Sequence, residues 1–425
     1  MVKSYKKRIV DKILESKMKV FGGVLITGPK GCGKTTTGMQ KAKTVIKFQD
    51  QDKKKEYDDI FAIRPSMILD YDKPILFDEW QDYKQVWDVI RNAIDESSNK
   101  GEYILTGSSS SFVETLHTGT MRISQLEMYP MSLYESGESN GTVSLRDLFN
   151  QKEKKDIFKS NLTYFDYAYL TCRGGWPSVL WTKTKEEALL VANDLYLSIY
   201  NRDMKHINKN CKSKTIAKNV LDAYCRHICS LAKDITIYND VGCSEYNVNK
   251  YLDALKKLCI IDEIKAWKPS IRSRSTIRLS PKRNIVDPSI ATASLDINPD
   301  FLAKHPTEFG HLFECLVIRD LKIYSAAING TVSYYHDHID AKCDAVLHTK
   351  DGKYALIEIK LGGANVYKGV DNLNHLEDLI KQYNKTQSPN RQLALPTFKM
   401  VITAEERGYR SKNGVLIIPL GCLKD

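Results

Sequence analysis

Short runs of consecutive apolar residues alternate along the first third of the chain with stretches whose apolar positions recur every three or four residues. This is the pattern of buried strands followed by amphipathic helices. The runs VLIT (24–27), PILF (74–77) and YILT (103–106) are bounded by Gly, Pro, Asp or Glu. The first passes through glycines into a helical pattern. From KEEALLVANDLYLSIYNRDM (185–204) through TIAKNVLDAYCRHICSLA (215–232) the period is helical throughout. A short helix, the turn GCS and a second helix over 245–257 follow. In the second, Val248, Tyr251, Leu252, Leu255 and Leu258 make an apolar face at spacings of three and four, and Ser244 is placed to cap it. The last third begins with a long helix, its apolar face at Phe309, Leu312, Phe313, Leu316, Val317 and Leu321. Then comes CDAVLHTKDGKYALIEIK (343–360), which reads as a β-hairpin.

At 425 residues the chain has room for two or three domains, and 42% hydrophobic with 27% charged residues is the balance of a soluble globular protein. No apolar run is long enough to cross a membrane. The basic start, MVKSYKKRIVDKILESK, is too polar for a secretory leader and suits a helix better. Ten cysteines are scattered without zinc-ribbon spacing, so they read as reduced, mostly buried thiols, and the expected location is cytoplasmic. A net charge of +11 favours a polyanionic partner, and residues 265–283 hold seven basic side chains and no acidic one.

Chemistry enters at GPKGCGKTT (28–36). Gly28, Gly33, Lys34 and Thr35 fit the phosphate-binding loop G-x-x-x-x-G-K-[ST]. The loop runs through Gly28, Pro29, Lys30, Gly31, Cys32, Gly33, Lys34, Thr35 and Thr36, and its glycines let successive N–H groups point at phosphates. Lys34 would reach the β and γ oxygens and Thr35 would ligate Mg²⁺. About forty residues on, Asp78 and Glu79 stand at the C-terminal end of PILF, where α/β sheets place ligand chemistry. Asp78 would hold Mg²⁺ through water, and Glu79 would act as general base for the attacking water. An acidic pair that merely caps a helix is the plainer alternative. Thr106 and Ser108, at the end of the next strand, would contact the γ-phosphate or that water, unless they are turn residues. Arg122 is a candidate arginine finger, in cis or in trans.

The motifs GPKGCGKT, ILFDEWQ, ILTGSSS, R-I-x-x-L-x-M-Y-P-M-S-L-x-E and RGGWPSVL, in this order over residues 20–180, resemble a family of bacterial and archaeal AAA-like ATPases. In that family a P-loop domain is joined to a C-terminal domain described only as of unknown function. The resemblance implies an AAA-type α/β core that binds ATP and Mg²⁺ through Lys34, Thr35, Asp78 and Glu79. Arg122 falls where the family has a Gly-Arg pair, but Met121 precedes it here. AAA-type ATPases often assemble so that one subunit's Arg completes its neighbour's site, which allows a homo-oligomer.

The middle of the chain, helix–turn–helix followed by the strands CIIDEIKAW and STIRLS, has the layout of a winged helix. Asn247, Asn249 and Lys250 would face a DNA groove, with Arg272, Arg274 and Arg278 along phosphates. A winged helix used as a spacer, its basic loop merely solvated, is the alternative.

In the hairpin, Glu358 and Lys360 share a strand face, with Asp344 upstream and Glu314 on the preceding helix. A helical Glu, a strand Asp and E-x-K follow the order of the PD-(D/E)xK nuclease fold. The resembled family's C-terminal domain has a similar LFE, CDAVL and IEIK series. Asp344 and Glu358, with Glu314, would bind one or two Mg²⁺, and Lys360 would position or deprotonate a metal-bound water. Register decides whether they meet. A two-residue turn pairs 344 with 359; a three-residue loop at 350–352, with Gly352 left-handed, pairs 344 with 358. The sequence therefore predicts the three-residue loop or a bulge. His336 and His338, flanking Asp337, read as surface residues more readily than as metal ligands.

The expected fold class is multi-domain α/β. A P-loop AAA-like ATPase core (1–180) leads to a helical and winged-helix middle (181–290) and a C-terminal restriction-endonuclease-like domain (300–425). The expected function is a Mg²⁺-dependent ATPase acting on DNA with a C-terminal metal-dependent nuclease. The alternative is an ATP-switched DNA-binding or signalling protein whose nuclease-like domain does not cut.

Overall fold

The computed structural model describes residues 5–107, 120–267, 280–337 and 341–425. Ser108, Arg272, Arg274, Arg278 and His338 lie outside them. The chain divides into two compact units, residues 1–130 with 254–260 and residues 131–253 with 261–425.

In the first unit the apolar runs become a parallel sheet of five strands: β1 (Gly23–Thr27), β2 (Thr44–Lys47), β3 (Ile75–Asp78), β4 (Tyr103–Gly107) and β5 (Ile123–Glu127). Their order is β2-β3-β4-β1-β5, with Ile26 opposite Thr106 and Asp78 opposite Thr106 on its other side. Continuous apolar runs are what a parallel sheet requires, because helices cover both faces. One cover is the helix Gln85–Glu96, whose Val86, Trp87, Ile90 and Ile94 are buried. Trp80 and Trp87 pack ring against ring at 5.0 Å between centroids. The helices α1 (Ile9–Met18) and α2 (Lys34–Met39) flank β1 in sequence.

The second unit is built on a mixed sheet of seven strands, order β7-β12-β13-β11-β10-β9-β8. These are β7 (Ile157–Lys159), β8 (Gly330–His336), β9 (Lys342–Thr349), β10 (Tyr354–Lys360), β11 (Phe398–Thr403), β12 (Arg407–Arg410) and β13 (Leu416–Pro419). The helices Pro306–Ala326 and Ala364–Lys385 pack against it, and Val366, Leu373 and Leu376 join Val346, Leu356, Val401 and Ile417 in one core. A two-stranded ladder joins β6 (Val143–Ser144) to β14 (Leu423–Lys424).

The first division therefore falls after Pro130, not near residue 180. β7 pairs with β12, and the 131–180 motifs belong to the second unit. YPMSL and RGGWP are tied together there: Met131 N–H donates to the Gly175 carbonyl (2.6 Å), and Leu133 N–H to Asp320 (2.9 Å). Gly175 N–H and Arg319 both donate to Asp287, and Trp176 Nε1 donates to Ser289. Arg319 also holds Asp320, and all three charges are buried. Burial in this pairing explains these motifs without any catalytic role.

Between 213 and 257 the predicted helices are present as Lys214–Arg226, Asp234–Val241 and Glu245–Lys257, and Gly242 ends the second in a left-handed turn (φ 68°). Two antiparallel bridges, Ile261 with Ile285 and Ile264 with Lys282, stand where the wing is expected.

Candidate functional site

Phosphate chemistry requires a loop that closes tightly after a strand, and β1 turns into one at Gly28. Its φ is 151°, and a Cβ there would lie 2.1 Å from the backbone oxygen of Met128, so no side chain fits. Gly31 and Gly33 also have positive φ (82° and 102°), which turns adjacent N–H groups to a common side. Lys34 is buried, and its Nζ donates to the carbonyls of Gly28 and Pro29, both at 3.0 Å. Thr35 Oγ1 donates to Asp78 Oδ1 at 2.5 Å, and Thr106 Oγ1 donates to the same oxygen at 2.6 Å. The loop, the end of β3 and the end of β4 thus converge on one carboxylate. Two hard oxygen donors, Thr35 and Asp78, meet there, a set that fits Mg²⁺.

Glu79 follows Asp78 in a left-handed conformation (φ 55°, ψ 50°), its N–H on Thr106 Oγ1 at 3.4 Å. A non-glycine residue there is strained, and such strain collects at functional turns. Gln81 Nε2 donates to Glu79 Oε2. Behind the loop, Arg8 donates to the Cys32 carbonyl (3.0 Å) and the Tyr129 carbonyl (2.8 Å), while Tyr5 OH reaches Asp11 and Thr37 Oγ1. Fixing the Cys32 carbonyl turns the Gly33 N–H the opposite way across the planar peptide. In the sequence Arg8 stood out only as part of a basic start, and Gln81 only as the last letter of DEWQ.

Arg122 stands elsewhere. Gly23 N–H bonds to the Arg122 carbonyl, so this residue is level with the N-terminal end of β1. Five strand residues, roughly 16 Å, separate it from the loop, more than an arginine spans. Its guanidinium pairs with Asp95 on the surface. The expected finger in cis is therefore corrected. Met121 takes φ 67° before it, the left-handed backbone for which glycine is suited.

In the second unit the hairpin ladder runs Tyr354–His348, Ala355–Leu347, Leu356–Val346 and Ile357–Ala345, so the next pair is Glu358–Asp344. The loop is Lys350–Gly352, closed by Thr349 N–H on the Lys353 carbonyl, with Gly352 at φ 85°. This is the three-residue form. Lys360 Nζ lies 2.7 Å from Asp344 and 2.6 Å from Glu358. Ile359 N–H also donates to Asp344 (2.9 Å), and Asn372 Nδ2 to Glu358 (2.8 Å). Glu314 is held by Lys282. Glu314, Asp344 and Lys360 line one cavity of about 770 Å³, together with His311, Glu405 and Arg407.

Burial pushes Glu358 up to about 7, helped by the Asp344 charge and opposed by Lys360. Burial likewise raises Glu314 to about 7 against the pull of Lys282. For Asp344 burial is outweighed by Lys360 and Lys282, and its carboxyl is held below the usual range. Two carboxylates that share one ammonium present oxygens to a common point, and oxygens of this kind suit a hard divalent ion. Among the described residues no three His, Cys, Asp or Glu side chains form a metal cluster, and Glu314 turns to Lys282 instead. No motif or spacing pointed to Lys282 or Asn372.

Several expected nucleic-acid contacts are used internally. Asn249 Oδ1 accepts from Tyr238 OH (2.9 Å), and so does not face outward as an acceptor. Lys282 and Arg283, counted in the basic stretch, pair with Glu314 and with Asp234 and Glu263. Lys250 lies 3.9 Å over the ring of the exposed Tyr246, with Asn247 beside it. Asp337 accepts from Ala341 N–H and Tyr335 OH, as a turn residue does. All ten cysteines are free, and among the described residues no helix is long and apolar enough to cross a membrane.

Comparison with known proteins agrees with the first of these sites. Residues 21–137 match the family model of an AAA domain. Residues 164–300 and 309–423 match two domains of unknown function, DUF8612 and DUF4143. No curated protein matches the chain. Among solved structures, it is similar to the replication initiator DnaA bound to AMPPCP and single-stranded DNA. The identity is 12%, over 58% of this chain and 85% of that one, with a TM-score of 0.27. A STAND ATPase with a tetratricopeptide-repeat sensor from Pyrococcus horikoshii is 12% identical over 77% of this chain and 48% of that one, with a TM-score of 0.22. Drosophila ORC bound to DNA is 12% identical over 68% and 85%, with a TM-score of 0.19. The phosphate loop and the parallel core of the first unit agree with the AAA match, and this part of the chain is a P-loop domain of AAA type.

Proposed function

We propose that the chain is a Mg²⁺-dependent ATPase that acts on DNA, and that its C-terminal domain is a metal-dependent nuclease. The observation that supports the ATPase most is the convergence of Thr35 and Thr106 on Asp78 over the glycine loop. Lys34 binds the β and γ phosphates, Thr35 and Asp78 hold Mg²⁺, and Glu79 accepts a proton from the attacking water. When bound, the ion neutralises charge on the phosphate oxygens. Arg122 acts in trans, which makes the active form an oligomer.

DNA is the polyanion best suited to the net charge of +11 and to the Lys250–Tyr246 surface. Asn247 lies beside Lys250, and the sequence adds the basic residues Arg272, Arg274 and Arg278 to the charge available for phosphates. Ten free thiols fit a reducing compartment, the cytoplasm. In the C-terminal site Asp344 and Glu358 would hold Mg²⁺, while Lys360 would orient a water and steady the charge of the attacked phosphate.

The Lys282–Glu314 pair favours a second reading, in which the same domain binds nucleic acid or a signal without cutting. The two part in one assay: plasmid and single-stranded DNA incubated with Mg²⁺ or Mn²⁺, using wild type and Glu358→Ala. Metal-dependent cleavage that disappears in the variant is expected. No cleavage under any nucleotide condition would favour the second reading instead.

A further inference from the structure

The turn after β3 holds an amide that the phosphate chemistry above does not use. Glu79 is bent into the left-handed region, and Trp80, fully buried against Trp87, pins the next residue. Gln81 then folds back, so that its Nε2 donates to Glu79 Oε2 at 2.5 Å. That bond fixes the orientation of the amide, because an amide oxygen would not face a carboxylate. The other end, Oε1, is buried and has no hydrogen-bond partner. It lies against Gly107, the last residue of β4 and the neighbour of Thr106; a Cβ at Gly107 would stand 2.4 Å from it. A buried carbonyl oxygen without a partner is destabilising, and a hydrogen-bond donor that reaches it relieves that cost.

We propose that Gln81 sets up the hydrolytic step: its N–H holds the Glu79 carboxylate in place, and its carbonyl oxygen accepts a hydrogen bond from the attacking water. This rests on the ATPase reading. One proton of the water goes to Glu79. The other O–H points to Gln81, which leaves the oxygen lone pair aimed at the γ-phosphorus. The bond from water oxygen to phosphorus forms as the bond to the β,γ-bridging oxygen breaks, giving ADP and phosphate. Gln81 acts on geometry and exchanges no proton, so its loss should affect turnover and leave nucleotide binding alone.

The test uses the full chain: wild type, Gln81→Ala, Gln81→Glu, Glu79→Gln and the double variant Glu79→Gln/Gln81→Ala. Phosphate release is measured beside binding of a fluorescent ATP analogue and thermal melting without nucleotide. Gln81→Ala should lower kcat roughly tenfold to a hundredfold with unchanged KM and nucleotide affinity. Gln81→Glu, which keeps the shape and loses the donor, should be no faster. The double variant should be no slower than Glu79→Gln alone, because the two residues act as a unit. An unchanged kcat in Gln81→Ala would overturn the proposal, as would additive losses or a parallel fall in nucleotide affinity or melting temperature. If wild type hydrolyses ATP and Glu79→Gln does not while Gln81→Ala is unimpaired, only this inference fails. If wild type releases no phosphate, the ATPase reading fails and takes this one with it.

Discussion

Lys360 lies between two carboxylates, 2.7 Å from Asp344 and 2.6 Å from Glu358, and its charge works against the cost of burying them: Asp344 stays below the usual range while Glu358 still rises. His348, on the same hairpin, illustrates the opposite solution. Burial holds its imidazole below the ordinary 6.5, and Ser333 Oγ faces its Nε2 at 3.1 Å. The unfolded chain therefore binds more protons here than the folded one. Stability from this group is complete above 6.5 and is lost as pH falls through the depressed value. Compared with His348→Gln in denaturant titrations, wild type should lose ground progressively as pH falls below the ordinary 6.5; a difference independent of pH would contradict this. The groups legible in the sequence were those fixed by local spacing or by a motif: Lys34 within one loop, Asp344 and Glu358 across a short turn, and Thr35 with Asp78 through the phosphate-loop pattern and the acidic strand end. Lys282 meets Glu314 across 32 residues and Arg8 meets Cys32 across 24, and no local pattern encodes such pairs.

The hairpin of β9 and β10 owes its register to one residue. Gly352 takes φ 85°, and a Cβ added there would meet nothing within 4 Å, so Gly352→Ala adds backbone strain and no clash. Equilibrium unfolding should show a loss of about 1 kcal/mol, with Gly352→Asn less affected. A neutral alanine would mean that the loop does not need a left-handed residue, and the argument that brings Asp344 opposite Glu358 would fall with it. Strand existence was readable wherever apolar runs were long, as in β1, β3, β4 and β10. β7 was not: three residues, Ile157–Lys159, carry no periodicity, and their partner Arg407–Tyr409 lies some 250 residues later. That single missed strand is why the boundary was expected near 180, because without it the YPMSL and RGGWP motifs look like a continuation of the ATPase.

For the whole molecule, the two units divide the chemistry, a phosphate site in one and a carboxylate–lysine site in the other. The position of Arg122 at the far end of its own sheet makes assembly part of the account. Lys34→Ala lacks a working loop and keeps Arg122, while Arg122→Ala lacks the proposed finger and keeps the loop. Each alone should be slow, and mixing them should restore part of the phosphate release; no recovery on mixing would remove Arg122 from the reaction. The central claim is met most directly by one measurement: phosphate release from ATP by the full chain, with Mg²⁺ or EDTA, with and without DNA, for wild type and Lys34→Ala. Release that requires Mg²⁺, rises with DNA and disappears in Lys34→Ala is the predicted result. Equal release from Lys34→Ala, or none from wild type with Mg²⁺ and DNA present, would contradict it.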